Sequence, residues 1–344
     1  IIKDFSLNWI INLIKKDLKQ IGIKFDSYFS EEALLKKKKV LLSINALKKK
    51  NLIYQGIPEK PKSGDLIDWE PRKQSLFKST KFGDDVDRPL QKSNSDYTYF
   101  AKDIAYHFDK YKRGYNTMIN VWGADHGGYI KRLSSAVQSI TKKINLIIKI
   151  CQLVKIIDNK KILKMSKREG NFISLKQVIT NVGKDVIRFI MLLRKNNEDI
   201  EFDLEKITQE SKDNPVFYVQ YAHARCCSVL REAGKTFNKK EINLSNIQKI
   251  NLDNIEDINE ILLIKEIVKW PKILEDAVIH HEPHRITFYL QSLASKFHSH
   301  WNFGTKNKNI RFINIDNKDI TLTKLAIVHS VKIILNNSLN LLGV

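Results

Sequence analysis

Strand-like segments stop near residue 205 of this 344-residue chain. Before that point short apolar runs alternate with helical stripes, and after it only helical stripes remain. Met118-Ile119-Asn120-Val121-Trp122 is a short apolar run that ends at Gly123, and Leu133, Val137 and Ile140 then recur at helical spacing. A buried strand, a loop and a helix make the unit of an α/β fold. The order of segments therefore predicts an α/β domain over 1–205 and an all-α domain over 206–344. Within the first, Trp9-Ile10, Leu13-Ile14, Leu18 and Ile21 place helices in residues 1–55. Pro58, Pro61, Gly64, Pro71, Gly83 and Pro89 punctuate residues 56–95, which read as an inserted subdomain of short strands such as Leu66-Ile67-Asp68-Trp69. Ala101, Ile104, Ala105 and Phe108 form a helical apolar stripe, and the runs at 146–150 and 156–157 add strand. In the second domain, Asp213-Asn214-Pro215 starts a long helix to about Ala233. A polar connection at 234–258 precedes helical stripes at 259–281, 286–303 and 322–342.

The net charge of +21 favours a polyanionic partner, nucleic acid first. Lysine far outnumbers arginine, so part of that charge reads as solvated surface. The runs at 36–39 and 48–50 are assigned to such surface rather than to a binding patch. Hydrophobic residues at 42% exclude a disordered chain. No uninterrupted apolar run reaches the ~18 residues of a membrane span, and no signal-peptide pattern is seen. Cys151, Cys226 and Cys227 form no Cys-x-x-Cys pair, which argues against a disulfide framework or a cysteine zinc site and fits a reducing, cytoplasmic setting.

Four groups of residues carry candidate chemistry. Lys164-Met165-Ser166-Lys167-Arg168-Glu169-Gly170-Asn171 is a cationic loop that cannot be buried cheaply. It suits phosphoryl chemistry, where positioning and charge stabilisation dominate, or it is a solvated surface loop. Tyr99 and Asp103 are i, i+4 on one helix face. A phenol beside a carboxylate can receive a guanidinium, and the plain alternative is a solvated acid near a half-buried tyrosine. Gly123-Ala124-Asp125-His126-Gly127-Gly128 follows a parallel strand, where open α/β sheets bind ligands, although a Gly-rich turn with an Asp cap has the same pattern. Tyr218, Tyr221 and Arg225 share a helix face and either stack on RNA bases or form a packed aromatic stripe. His280, His281 and His284 are interrupted by Pro283, and no metal site is assigned to them.

Longer strings then agree with one family. Phe82-Gly83-Asp84-Asp85, Asp87-Arg88-Pro89-Leu90-Gln91-Lys92-Ser93, the helix at 99–107, Trp122-Gly123-Ala124-Asp125-His126, the lysine loop, the segment at 213–225 and Phe297-His298 stand in the order of bacterial arginyl-tRNA synthetases, which the chain resembles almost end to end. The resemblance implies a class I Rossmann-type catalytic domain, here partial, with its KMSKS-like signature loop at 164–171, followed by a helical-bundle anticodon-binding domain. It implies activation of L-arginine by ATP with Mg2+ to arginyl-adenylate and transfer to arginine tRNA, with no tightly bound cofactor and a monomeric state. By the same match Tyr99, Asp103 and Asp125 receive arginine. Gly123, Asp125, His126, Lys164, Met165, Ser166 and Lys167 meet ATP, with Lys164 and Lys167 catalytic, and Tyr218, Tyr221 and Arg225 contact tRNA. The family's His-x-Gly-His signature occurs nowhere in the sequence, and Ile1 stands where a Met would begin a chain. The expectation is an N-terminally truncated chain, with a non-catalytic RNA-binding relative or a degraded gene product as the alternative.

Overall fold

The computed structural model describes residues 2–59, 71–141, 144–158, 160–163, 173–209, 214–238, 242–252 and 255–344. The strand-like piece at 66–69, the lysine loop at 164–171 and Asp213 therefore lie outside the described residues. Contacts divide the chain into two units, one of residues 1–24, 154–195 and 199–344, the other of residues 25–153 and 196–198.

The chain opens with α1 (Ile2–Gln20), which buries none of its residues and leaves Phe5, Trp9 and Leu13 open. The second unit begins with α2 (Glu31–Lys36) and α3 (Lys39–Lys49). Next comes an antiparallel sheet of β1 (Ile53–Gly56), β2 (Gln74–Phe77) and β3 (Arg88–Gln91). The helical reading of residues 1–55 thus ends early, because Tyr54 pairs with Leu76 in this sheet. Between β2 and β3 a short 3-10 turn ends at Gly83, whose φ of 92° suits a residue without Cβ. Asp84 beside that turn accepts from Arg88 at 2.7 and 2.8 Å, so its pKa lies below the usual carboxylate range despite burial.

The same unit continues with α4 (Tyr99–Lys112), β4 (Thr117–Gly123), α5 (Ile130–Ile140) and β5 (Asn145–Cys151). Thr98 caps α4 by accepting from the Ala101 amide. β4 and β5 run parallel over seven residues, from Thr117 opposite Asn145 to Gly123 opposite Cys151, with α5 as their crossover. The strand expected to be buried is buried only at alternate residues. Met118 and Asn120 face inward, whereas Ile119 and Val121 are exposed. Leu47, Phe77, Leu90, Phe100, Ile104 and Ala136 join helices and sheet into one core.

The other unit takes up the chain at β6 (Val154–Asp158), β7 (Lys161–Ile162), α6 (Leu175–Val182) and α7 (Lys184–Met191). β8 (Ile200–Asp203) then pairs parallel to β6, with β7 antiparallel on the other side, and α8 (Leu204–Ile207) follows. The remaining helices are α9 (Pro215–Thr236), α10 (Leu244–Ile247), α11 (Ile258–Ile267), α12 (Trp270–His280), α13 (His284–Lys306) and α14 (Lys318–Leu342). The single stripe expected at 259–281 is two helices, because Pro271 at the start of α12 cannot continue α11. The connection at 234–258 contains α10, capped by Asn243. By length and composition α14 is apolar enough to cross a membrane, yet half of its most apolar stretch is buried. Leu325, Val328, Val331 and Leu335 of α14 join Val219, Leu290 and Phe297 in the core of this unit.

Candidate functional site

In the second unit β4 delivers its chain to a tight 3-10 turn, Ala124–Tyr129, that leads into α5. At Gly123 the exposed Asp125 carboxylate folds back over the chain. A Cβ on Gly123 would sit 2.7 Å from Asp125 Oδ1. Asp125 and His126 project into solvent, with side chains 79% and 62% exposed and 3.7 Å between His126 Nε2 and Asp125 Oδ2. The Trp122 ring stands between the His126 and Tyr129 rings, at 6.2 and 5.8 Å.

Tyr129 turns the other way and donates its hydroxyl to Asp103 Oδ2 at 2.7 Å. Its ring is fixed edge-on by Phe100 and covered by the Arg132 guanidinium at 5.0 Å. Burial pushes the Asp103 carboxyl above the usual carboxylate range, and Glu31 adds to the rise. The Tyr129 hydroxyl, His107 and His126 oppose it. Behind Asp103, the His107 ring bridges α4 to β4. The Asn120 amide nitrogen lies 2.8 Å from His107 Nε2, and the Asp103 carbonyl lies 2.8 Å from His107 Nδ1. An amide nitrogen only donates and a carbonyl only accepts, so Nδ1 carries the hydrogen and the ring is neutral. Burial pushes its pKa down, in agreement.

Tyr99 lies one helical turn before Asp103 and is 62% exposed. The Lys102 ammonium sits 5.0 Å over its ring and is itself paired with Glu31 at 2.7 Å. The structure thus brings Asp103, Trp122, His126 and Tyr129 into one cluster and leaves Tyr99 at its open edge. Tyr129, Asn120 and His107 were not singled out in the sequence, and His107 at i+4 from Asp103 was the one available cue. Lys164, Met165, Ser166 and Lys167 lie outside the described residues.

A second cluster belongs to α9 and α13. The Arg225 guanidinium is stacked between Tyr221 at 4.4 Å and Trp301 at 4.9 Å. Its Nη1 donates to His298 Nδ1 at 2.9 Å, and His298 Nε2 donates to the Tyr218 carbonyl at 3.1 Å. That pattern requires a neutral imidazole, and burial with Arg225 alongside holds the His298 pKa down. Tyr218 packs inward against the core, whereas Tyr221 is exposed and stacks with Phe217 at 5.8 Å. The three residues of the sequence face therefore divide, Tyr218 half-buried against the core, Arg225 half-buried between two rings and Tyr221 exposed. The outcome is a rigid aromatic cluster around a fixed cation.

Residues 219–344 match the family model described as the DALR anticodon binding domain. The arginine–tRNA ligase of Beijerinckia indica is 46% identical over 98% of this chain and 58% of that protein. That of Rhodospirillum rubrum is 46% identical over 97% of this chain and 57% of that protein. A solved Campylobacter jejuni chain assigned as an arginyl-tRNA synthetase superposes with a TM-score of 0.81 at 30% identity, over 99% of this chain and 68% of that one. The chain belongs to the arginyl-tRNA synthetase family. It spans 58% and 57% of the length of the two curated arginine–tRNA ligases. The Thermus thermophilus arginyl-tRNA synthetase shares the fold, with a TM-score of 0.75 at 17% identity. The helical-bundle character of the C-terminal part and the mixed helix and sheet before it are those of arginyl-tRNA synthetases.

Proposed function

We propose that this chain carries the arginine-receiving and RNA-binding parts of an arginine–tRNA ligase. The reaction is attack of the arginine carboxylate on the α-phosphorus of ATP, with loss of pyrophosphate. A tRNA ribose hydroxyl then attacks the adenylate carbonyl, and AMP leaves. The observation that carries the reading is Asp103, a carboxylate with a raised pKa whose one oxygen is fixed by Tyr129 beside the turn after a parallel strand. Such a group gains its missing countercharge from a guanidinium, which a carboxylate holds bidentately. Tyr99 lies one turn before it on the same helix, and Asp125, in the turn that also carries Tyr129, would serve the arginine ammonium or ATP. Gly123 and His126 line the turn where ATP would approach, and Lys164, Met165, Ser166 and Lys167 belong to the signature motif of the sequence. Lys164 and Lys167 would neutralise the phosphates as pyrophosphate leaves. ATP enters with Mg2+ as a substrate, and no tightly bound cofactor is needed. Tyr221 and Arg225, backed by Tyr218, offer the RNA platform. The catalytic part is assigned to 1–205 and the anticodon-binding part to 206–344, in a monomeric cytoplasmic enzyme without a membrane partner.

The test is calorimetric arginine binding, with tRNA charging measured in parallel. Asp103→Ala lowers arginine affinity by at least ~2 kcal/mol, about 30-fold, the cost of leaving a charged partner unmatched. Lysine does not compete, because it lacks the planar fork. Unchanged arginine binding in Asp103→Ala removes the assignment. Selective binding of arginine tRNA with no arginine binding would favour an RNA-binding relative instead.

A further inference from the structure

The unit that holds the helical bundle contains a cavity of about 460 Å³ between the C-terminal half of α9, α13 and the segment 310–315. Gly304 lets that segment lie close to α13, because a Cβ there would come within 3.3 Å of the Arg311 Cα. Val229, Trp301, Phe312 and Ile313 make the cavity wall apolar. His300 lines it as well and is only 1% exposed. The imidazole leans on the Phe312 ring at 4.5 Å. Among the described residues neither of its nitrogens meets a partner in hydrogen-bond geometry. Burial, with the Lys324 ammonium adding, pushes its pKa down to about 4 against smaller upward pulls from Asp257 and the Ile310 backbone. The ring is therefore neutral at physiological pH, with one nitrogen that donates and one that accepts. Such an orphaned pair destabilises the free fold. Two charged side chains stand on the rim. Glu232 is held by Lys235 at 2.9 Å. Arg311 Nε donates to the Gly304 carbonyl at 3.0 Å, which leaves its two amino groups to other partners.

We infer that this cavity binds a small aromatic carboxylic acid that carries a hydrogen-bonding atom on its ring. Its volume is that of small-molecule sites, and apolar walls with few convergent polar groups are their usual make-up. The walls take the ring, and His300 meets the polar ring atom as donor or as acceptor. The planar fork of Arg311 suits the carboxylate. A purely apolar occupant would leave His300 unmatched, and a cationic one would face Arg311. Trp301 lines the cavity and also carries the Arg225 guanidinium 4.9 Å over its ring, so the occupant touches the same indole as the Arg225 cluster. Neither arginine nor ATP enters this site, and the inference does not depend on the ligase reading.

The experiment is calorimetric titration of the whole 344-residue chain with 4-hydroxyphenylacetate, phenylacetate and tyramine. The hydroxy acid should bind. Phenylacetate should bind at least tenfold more weakly, because His300 stays unmatched, and tyramine at least tenfold more weakly, because its ammonium faces Arg311. Arg311→Gln, at an exposed position, should weaken the hydroxy acid at least tenfold. His300→Leu should make the two acids bind alike, and its melting temperature should not fall, since an orphaned polar group gives way to an apolar one. Should His300→Leu fail to fold, Arg311→Gln and the three probes decide alone. No binding of the hydroxy acid at millimolar concentration overturns the inference. So does equal binding of tyramine, or a preference for the hydroxyl that survives in folded His300→Leu. If the two variants weaken an anticodon-arm RNA hairpin while no acid binds, the cavity belongs to an RNA surface and the inference falls.

Discussion

Asp103 is held in its raised-pKa state by burial, and the Tyr129 hydroxyl is the strongest group opposing that rise. The sign follows directly. A carboxylate whose folded pKa is raised contributes stability that is fully present below its unfolded pKa and is lost as pH rises through the folded value. In its ionised form Asp103 is therefore a liability that a bound cation relieves. Arginine affinity should fall as pH is lowered, with a midpoint above the ordinary aspartate value. Tyr129→Phe should move that midpoint upward and weaken arginine binding at neutral pH about fivefold, the worth of a hydrogen bond of ~1 kcal/mol. Calorimetric titration across a pH series checks both, with Tyr99→Phe as a comparison that should leave the midpoint in place. The face shared by Tyr99 and Asp103 was legible from i, i+4 spacing. The Asp103–Tyr129 bond, 26 residues apart, was not, because it exists only once β4 and the turn after it return over α4. The same limit hid Asn120, which local pattern marks as a polar interruption of a strand and which the fold makes the anchor of His107.

At the scale of elements, caps were readable and breaks were less so. Asn214 caps α9 by accepting from the Val216 and Phe217 amides, and it also donates to the Ile207 and Gln209 carbonyls at 2.8 and 3.0 Å. It is 4% exposed, so each lost bond leaves a buried group unsatisfied. Asn214→Ala should cost about 2 kcal/mol in urea unfolding with an unchanged slope, as for a strong N-cap. Asn214→Asp keeps the acceptor and loses both donated bonds, and should fall between the two. The Asn-Pro start was visible because cap and Pro chemistry is local. The break between α11 and α12 was missed because the apolar period runs on through Pro271. The half-bare face of β4 was missed for a related reason. A run of apolar residues does not say how many of its faces will be covered.

For the whole molecule, the order of apolar runs and helical stripes predicted a passage from mixed to helical structure near residue 205, and β8, the last strand among the described residues, ends at Asp203. It did not indicate that β6 and β8 would pair across α6 and α7, so that residues 154–195 share a unit with the helices after 199. Strand partners are chosen by long-range packing, on which periodicity is silent. The parallel pair of β4 and β5 has one further consequence, which concerns time. Among the described residues β4 has a single strand neighbour, so only the amides that point to β5 are locked in a ladder. Hydrogen exchange along 117–123 should alternate, with every second amide nearly as fast as a loop and the buried amides of α5 far slower. The turn bearing Asp125 and His126, and with it the hydroxyl that steadies Asp103, thus hangs from a strand with one partner among the described residues. Arginine binding should then slow exchange at β4 more than at any helix of the same unit, and a ligand's arrival would be visible as protection running back along the strand that leads to its site.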